Sequence, residues 1–135
     1  MGKKVFMFAA ASCAASVILG ALAAHSLEPK LDDKLLAAFK TAAHYQFIHS
    51  VALIALLAAE NQFKTLNFKQ VYNSLIMGIL LFSGSLYLLA MKDLWGLEWL
   101  GKLGIVTPFG GGLFIAGWAL LLLQVRKNFP TNQEK

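Results

Sequence analysis

Charged residues fall in five short clusters along the chain, Lys3–Lys4, Glu28–Lys40, Glu60–Lys69, Lys92–Lys102 and Arg126–Lys135, and the four intervals between them are nearly charge-free. Each interval is about the ~20 residues a helix needs to cross a bilayer. The pattern predicts an all-α membrane protein, a bundle of four transmembrane helices in one domain over residues 1–135. The spans are expected at about 5–25, 35–59, 71–91 and 107–125, with a short interfacial segment before the fourth.

The first span is built from small residues. Ser12, Ser16, Gly20 and Ala24 recur every four positions, a small-x-x-x-small stripe that lets a neighbouring helix approach closely. In the connection that follows, Pro29 stops the helix from continuing, and Asp32 or Asp33 can cap the next one. Leu31, Leu35, Leu36 and Phe39 stand at helical spacing, so the second helix should begin with an amphipathic turn at the interface. Trp95 and Trp99 among leucines and charges suit the headgroup region. The fourth span opens with Thr107 as cap and Pro108 as first helical residue. Gly110, Gly111 and Gly112 follow, and with Gly84 they are expected to permit close helix packing. Thr131–Lys135 reads as a short disordered polar tail.

Composition agrees with the pattern: 58% of residues are hydrophobic and only 14% charged. The net charge of +5 comes from lysines scattered at span ends, where they anchor topology, so no nucleic-acid partner is expected. Cys13 is the only cysteine and falls mid-span, as a packing residue that can form no intramolecular disulfide. The first span resembles a signal peptide in its Lys3-Lys4 start and its Ala21-Leu22-Ala23 site. Its apolar run is long for one, which favours a retained helix. Of the lysines and arginines, seven lie on the side of the termini and the second connection and five on the other, which favours both termini in the cytoplasm of a plasma or inner membrane.

The second span carries Thr41-Ala42-Ala43-His44-Tyr45-Gln46-Phe47-Ile48-His49-Ser50 where leucines would be expected. Polar groups in hydrocarbon must face other helices, so the other three spans should pack around this one. Tyr45 and His49 share a face with Gln46 alongside, whereas His44 and His49 lie about 140° apart. His25, Tyr45, Gln46, His49, Ser83, Ser85, Tyr87 and Thr107 all fall in the same half of the bilayer under a four-span topology. They form the candidate ligand-binding set. His25 and His49 are weak candidates for metal ligation, lacking a third ligand at diagnostic spacing. No Asp or Glu lies within a span, no nucleophile–base pair stands in a plausible context, and no cofactor is predicted.

Four stretches together resemble the family known as domain of unknown function 423. They are Gly20-Ala21-Leu22-Ala23-Ala24-His25-Ser26-Leu27, Ala42 to His49 with Tyr45-Gln46-x-x-His49, Phe82-Ser83-Gly84-Ser85-Leu86-Tyr87, and Gly104-Ile105-Val106-Thr107-Pro108-Phe109-Gly110-Gly111 through Gly117-Trp118. The family usually has glycine where Ala23 and Ser26 stand here. The resemblance implies a four-helix protein of the bacterial plasma membrane and carries no activity with it.

Two readings follow. In the first, the chain is a non-enzymatic structural or accessory component that packs with itself or within a larger membrane complex. Gly20→Leu would then break assembly or stability while His25→Ala is nearly silent. In the second, it binds or transports a small solute or metal at a polar site in the outer half of the bundle, and His25 or His49 is essential.

Overall fold

The structure, a computed structural model, describes residues 2–60 and 62–128. The tail Thr131–Lys135 lies outside the described residues. Among the described residues, four helices are long and apolar enough to cross a membrane: α1 over Gly2–Leu27, α2 over Asp33–Glu60, α3 over Phe68–Ala90, and α4 over Thr107–Asn128, which continues the preceding Glu98–Ile105 segment. Each helix packs chiefly on its neighbour in the chain, α1 on α2, α2 on α3 and α3 on α4. The three other spans therefore do not surround α2. It lies between α1 and α3 and reaches α4 through side chains, His49 stacking on Phe114.

The face that α1 buries explains why a four-residue stripe could not persist. Positions four apart drift by about 40° per step around a helix. The buried residues instead alternate spacings of four and three, at Val5, Ala9, Ser12 and Ser16, and resume at Ala23 and Leu27. Ser12 and Ser16 thus pack on α2, whereas Gly20 is half-buried beside an open groove that it lines with Ala43 and His44 of α2, and Ala24 has rotated away. A Cβ added at Gly20 would meet nothing within 4 Å, and Ala24 is exposed. The last turn of α1, Ala23–Leu27, widens to a π-helical turn, and the Leu27 carbonyl accepts from Lys30 and Leu31 N–H.

Between the two cap candidates, Asp32 is the one that caps: its Oδ1 accepts from Leu35 N–H at 2.9 Å. From there Leu35, Leu36 and Phe39 close an apolar cluster with Leu27, Leu31 and Ala90 at one end of the bundle. A second cluster, including Val5, Leu53, Phe68, Tyr72 and Leu75, fills the other end. Between them lies a layer of buried polar side chains.

The interfacial segment forms as expected. A helical turn at Lys92–Trp95 ends at Gly96, the one described residue with positive φ (64°), and 3-10 turns cover Glu98–Ile105. Trp95 and Trp99 stand exposed while Leu100 is buried. Lys92 donates to Asp93 at 2.6 Å, and that hydrogen bond raises its pKa above the usual lysine value. Thr107 differs from expectation. It is already the first residue of α4, and the N–H groups of Phe109 and Gly110 go to the Val106 carbonyl rather than to the Thr107 side chain.

The α3–α4 contact depends on glycine, though not on the run as a whole. A Cβ at Gly110 would lie 2.7 Å from Phe82 Cα, and one at Gly117 3.0 Å from Leu75 Cδ2. Across the interface, a Cβ at Gly78 would come within 2.6 Å of the Phe114 ring. Gly84 and Gly112 have open space at that position, and Gly111 makes ordinary contact with Phe82. Gly110→Ala forces backbone against backbone and is expected to destabilise the fold by about 1–3 kcal/mol. Gly112→Ala should leave it unchanged. Unfolding of both variants in mixed micelles checks the pair.

Candidate functional site

The polar layer centres on Gln46, at the middle of α2. Its Nε2 donates to the Ser12 carbonyl at 3.0 Å and to Ser12 Oγ at 3.2 Å, and its Oε1 accepts from Tyr87 OH at 2.8 Å. Ser50, one turn along, donates to the Gln46 carbonyl at 2.6 Å, and its Oγ lies 2.8 Å from Ser12 Oγ. Three helices are tied at one depth through a single carboxamide. Ser16 turns its hydroxyl back to the Cys13 carbonyl at 2.7 Å. The Phe39 ring meets Tyr87 edge-on with centroids 4.7 Å apart, holding the phenol toward Gln46.

Beside this network a cavity of about 350 Å³ opens between α1 and α3, with Ala11, Ala15 and Gly84 on its walls. Ser83 also lines it and is 1% exposed, and its Oγ is the one buried side-chain polar atom without a partner among the described residues. Ser83 closes the π-helical turn Ile79–Ser83 of α3. Such turns often mark functional positions. Two residues on, Ser85 Oγ lies 2.7 Å from Thr107 Oγ1 and clips α3 to the start of α4.

His49 belongs to a different place. Its ring stacks on Phe114 with centroids 3.6 Å apart and planes 12° apart, and the Tyr45 ring lies beside both, 5.8 Å from His49 and 6.1 Å from Phe114. With Phe82, Trp118 and Gly111 they line a cleft of about 580 Å³ running from α2 across α3 to α4.

The eight candidate residues therefore do not form one pocket. Gln46, Ser83 and Tyr87 meet at the first cavity, Tyr45 and His49 at the second, and Ser85 pairs with Thr107. His25 is exposed in the last turn of α1 and lines neither cavity, so it does not converge with His49. No group of three or more His, Cys, Asp or Glu suited to a metal ion occurs among the described residues.

Several contributors escape sequence reasoning. Ser12 reads as a packing residue, yet its hydroxyl and carbonyl both serve Gln46. Ser50 sits four residues after Gln46, a same-face spacing that is the available signal for it. Phe114 and Trp118 repeat that spacing on α4. Gln124 carries no comparable signal. It pairs with the Asn67 backbone, its Oε1 accepting from the N–H and its Nε2 donating to the carbonyl at 3.4 Å, and joins the base of α3 to the end of α4.

Comparison with known proteins places the chain. A family model described as "Protein of unknown function (DUF423)" matches residues 19–111. A UPF0382 membrane protein of Staphylococcus haemolyticus is 38% identical over 125 residues, covering 92% of this chain and 97% of that protein. One from Haemophilus influenzae is 40% identical over 108 residues, 78% of this chain and 79% of its own. The UPF0382 inner membrane protein YgdD of Escherichia coli K12 is 36% identical over 121 residues, 88% of this chain and 86% of that protein. No solved structure matches the chain. The matched region covers the last third of α1, all of α2 and α3 and the opening of α4, and the chain is an integral membrane protein of the DUF423 family.

Proposed function

We propose that this chain is a non-enzymatic component of the bacterial inner membrane, acting through packing with its own copies or within a larger membrane assembly. The observation that carries this reading is the saturation of Gln46. Both N–H groups and the carbonyl of its side chain are taken up within the protein. A polar group whose amide and carbonyl are both engaged between helices specifies their register. Hydrocarbon gives helices little reason to choose one apolar face over another, so interhelical hydrogen bonds and close packing must supply the choice. Phe6, Val17, Ile18, Ile115 and Leu122 remain more than half exposed and offer apolar surface to lipid or to partner helices.

Two measurements test it. In a double-mutant cycle, Gln46→Ala and Tyr87→Phe should couple by about 0.6 kcal/mol and at most ~1.7 kcal/mol, the range for interhelical hydrogen bonds in a bilayer. Coupling near zero would show that the layer does not hold the helices. Native mass spectrometry of protein released gently from its membrane should show an oligomer or a complex, and a bare monomer would sink the assembly reading.

The relative YgdD is named an inner membrane protein, and the excess of Lys and Arg at the termini and second connection supports both termini facing the cytoplasm. In a Cys13→Ala background, a membrane-impermeant maleimide should label Glu98→Cys in intact cells. Lys64→Cys should react only after permeabilisation. The reverse pattern would invert the topology.

A further inference from the structure

The cleft around His49 differs from the Gln46 carboxamide in one respect: polar atoms on its walls are both unpaired and open to the cleft. His49 Nδ1 lies 2.9 Å from the Tyr45 carbonyl. A carbonyl can only accept, so Nδ1 carries the hydrogen, and in the neutral ring Nε2 is left as a bare acceptor. Nε2 has no partner among the described residues, yet it is not among the sealed, unsatisfied atoms, of which Ser83 Oγ is the only one described. It is therefore reachable from the surface of a residue that lines the cleft. The Tyr45 hydroxyl and Trp118 indole N–H on the same walls are likewise without described hydrogen-bond partners.

His49 lies near the middle of α2, where no water is at hand to satisfy such groups. An acceptor facing hydrocarbon is costly unless something soluble in hydrocarbon pairs with it. The walls restrict what that can be. They are aromatic and aliphatic and carry no charged side chain, and stacking on Phe114 with planes 12° apart fixes the orientation of the His49 ring. The volume of about 580 Å³ holds a substituted ring with the start of an alkyl tail.

We propose that this cleft binds a neutral, lipid-soluble aromatic ring bearing a hydroxyl, a hydroquinone or long-chain phenol, whose O–H donates to His49 Nε2 while its tail leaves into the bilayer. The proposal stands apart from the assembly reading, since the Gln46 layer takes no part in the cleft.

The test uses the full-length protein in nanodiscs, with Trp95→Phe and Trp99→Phe so that Trp118 alone reports. The probe is 2-decyl-1,4-hydroquinone, kept reduced under argon, and its dimethyl ether is the non-donating control. The hydroquinone should change Trp118 emission saturably. The ether should bind about tenfold more weakly, the worth of one hydrogen bond of ordinary strength. His49→Phe keeps the stacked ring but removes Nε2, and should erase the difference between the two probes. Ala119→Phe, which fills the cleft from its wall, should abolish saturation with both. Equal binding of hydroquinone and ether to the unaltered cleft would overturn the proposal. So would a linear, non-saturating response that Ala119→Phe leaves unchanged, or full retention of the preference in His49→Phe.

Discussion

A carboxamide at the middle of a membrane has no water to turn to. Leaving one of its groups unpaired in hydrocarbon costs several kcal/mol, so wherever Gln46 goes, partners for three hydrogen-bonding groups must be brought to it. That constraint sets the relation of α1, α2 and α3. The Ser12 carbonyl and hydroxyl take the two N–H groups from one side, and Tyr87 OH meets the oxygen from the other. Sliding α1 by one turn against α2 could put Phe8 where Ser12 stands, and a phenyl ring offers Gln46 no acceptor. The two apolar clusters at the ends of the bundle could tolerate such a slip far better, because one aliphatic contact resembles another. The polar layer thus supplies specificity, and the clusters supply packing.

The other half of the protein solves the same problem by shape. Between α3 and α4 the buried contacts are glycine against backbone and ring, Gly110 on Phe82 and Gly78 under Phe114. Close approach multiplies dispersion contacts, which lipid cannot match as well. Among the described residues, hydrogen bonds occur here only toward the ends, Ser85 with Thr107 and Gln124 with Asn67. α3 is the element common to both arrangements. It presents Tyr87 and Ser83 toward α1 and α2, and Gly78 and Phe82 toward α4.

Much of this is legible in the amino-acid sequence alone. The spacing of charges marks the spans to within a few residues, because the thickness of hydrocarbon is a hard length. Asp32 as a cap and the tryptophan-bearing interfacial segment follow from equally local rules. Relations between helices are what the sequence does not spell out. The stripe from Ser12 to Ala24 reads as continuous, yet helical drift loosens its contact with α2 at Gly20 and carries Ala24 to the outside. His25 and His49 fall in the same half of the bilayer by counting, but facing direction, which counting does not supply, separates them. Among the glycines, Gly110 and Gly117 are seven apart and share a face, a stronger signal than the more conspicuous run Gly110-Gly111-Gly112.

Gln46 and His49 are three residues apart on one helix, both buried, and both would be flagged by any rule that treats intramembrane polar residues as functional. Their hydrogen-bond accounts separate them. The amide and the carbonyl of the Gln46 side chain each find partners inside the protein, so neither group is left orphaned by its burial. His49 spends one nitrogen on its own helix and keeps the other free in an aromatic cleft. Completeness of pairing, rather than polarity or depth, is the property that distinguishes a residue that holds a membrane bundle together from one positioned to receive something from the bilayer.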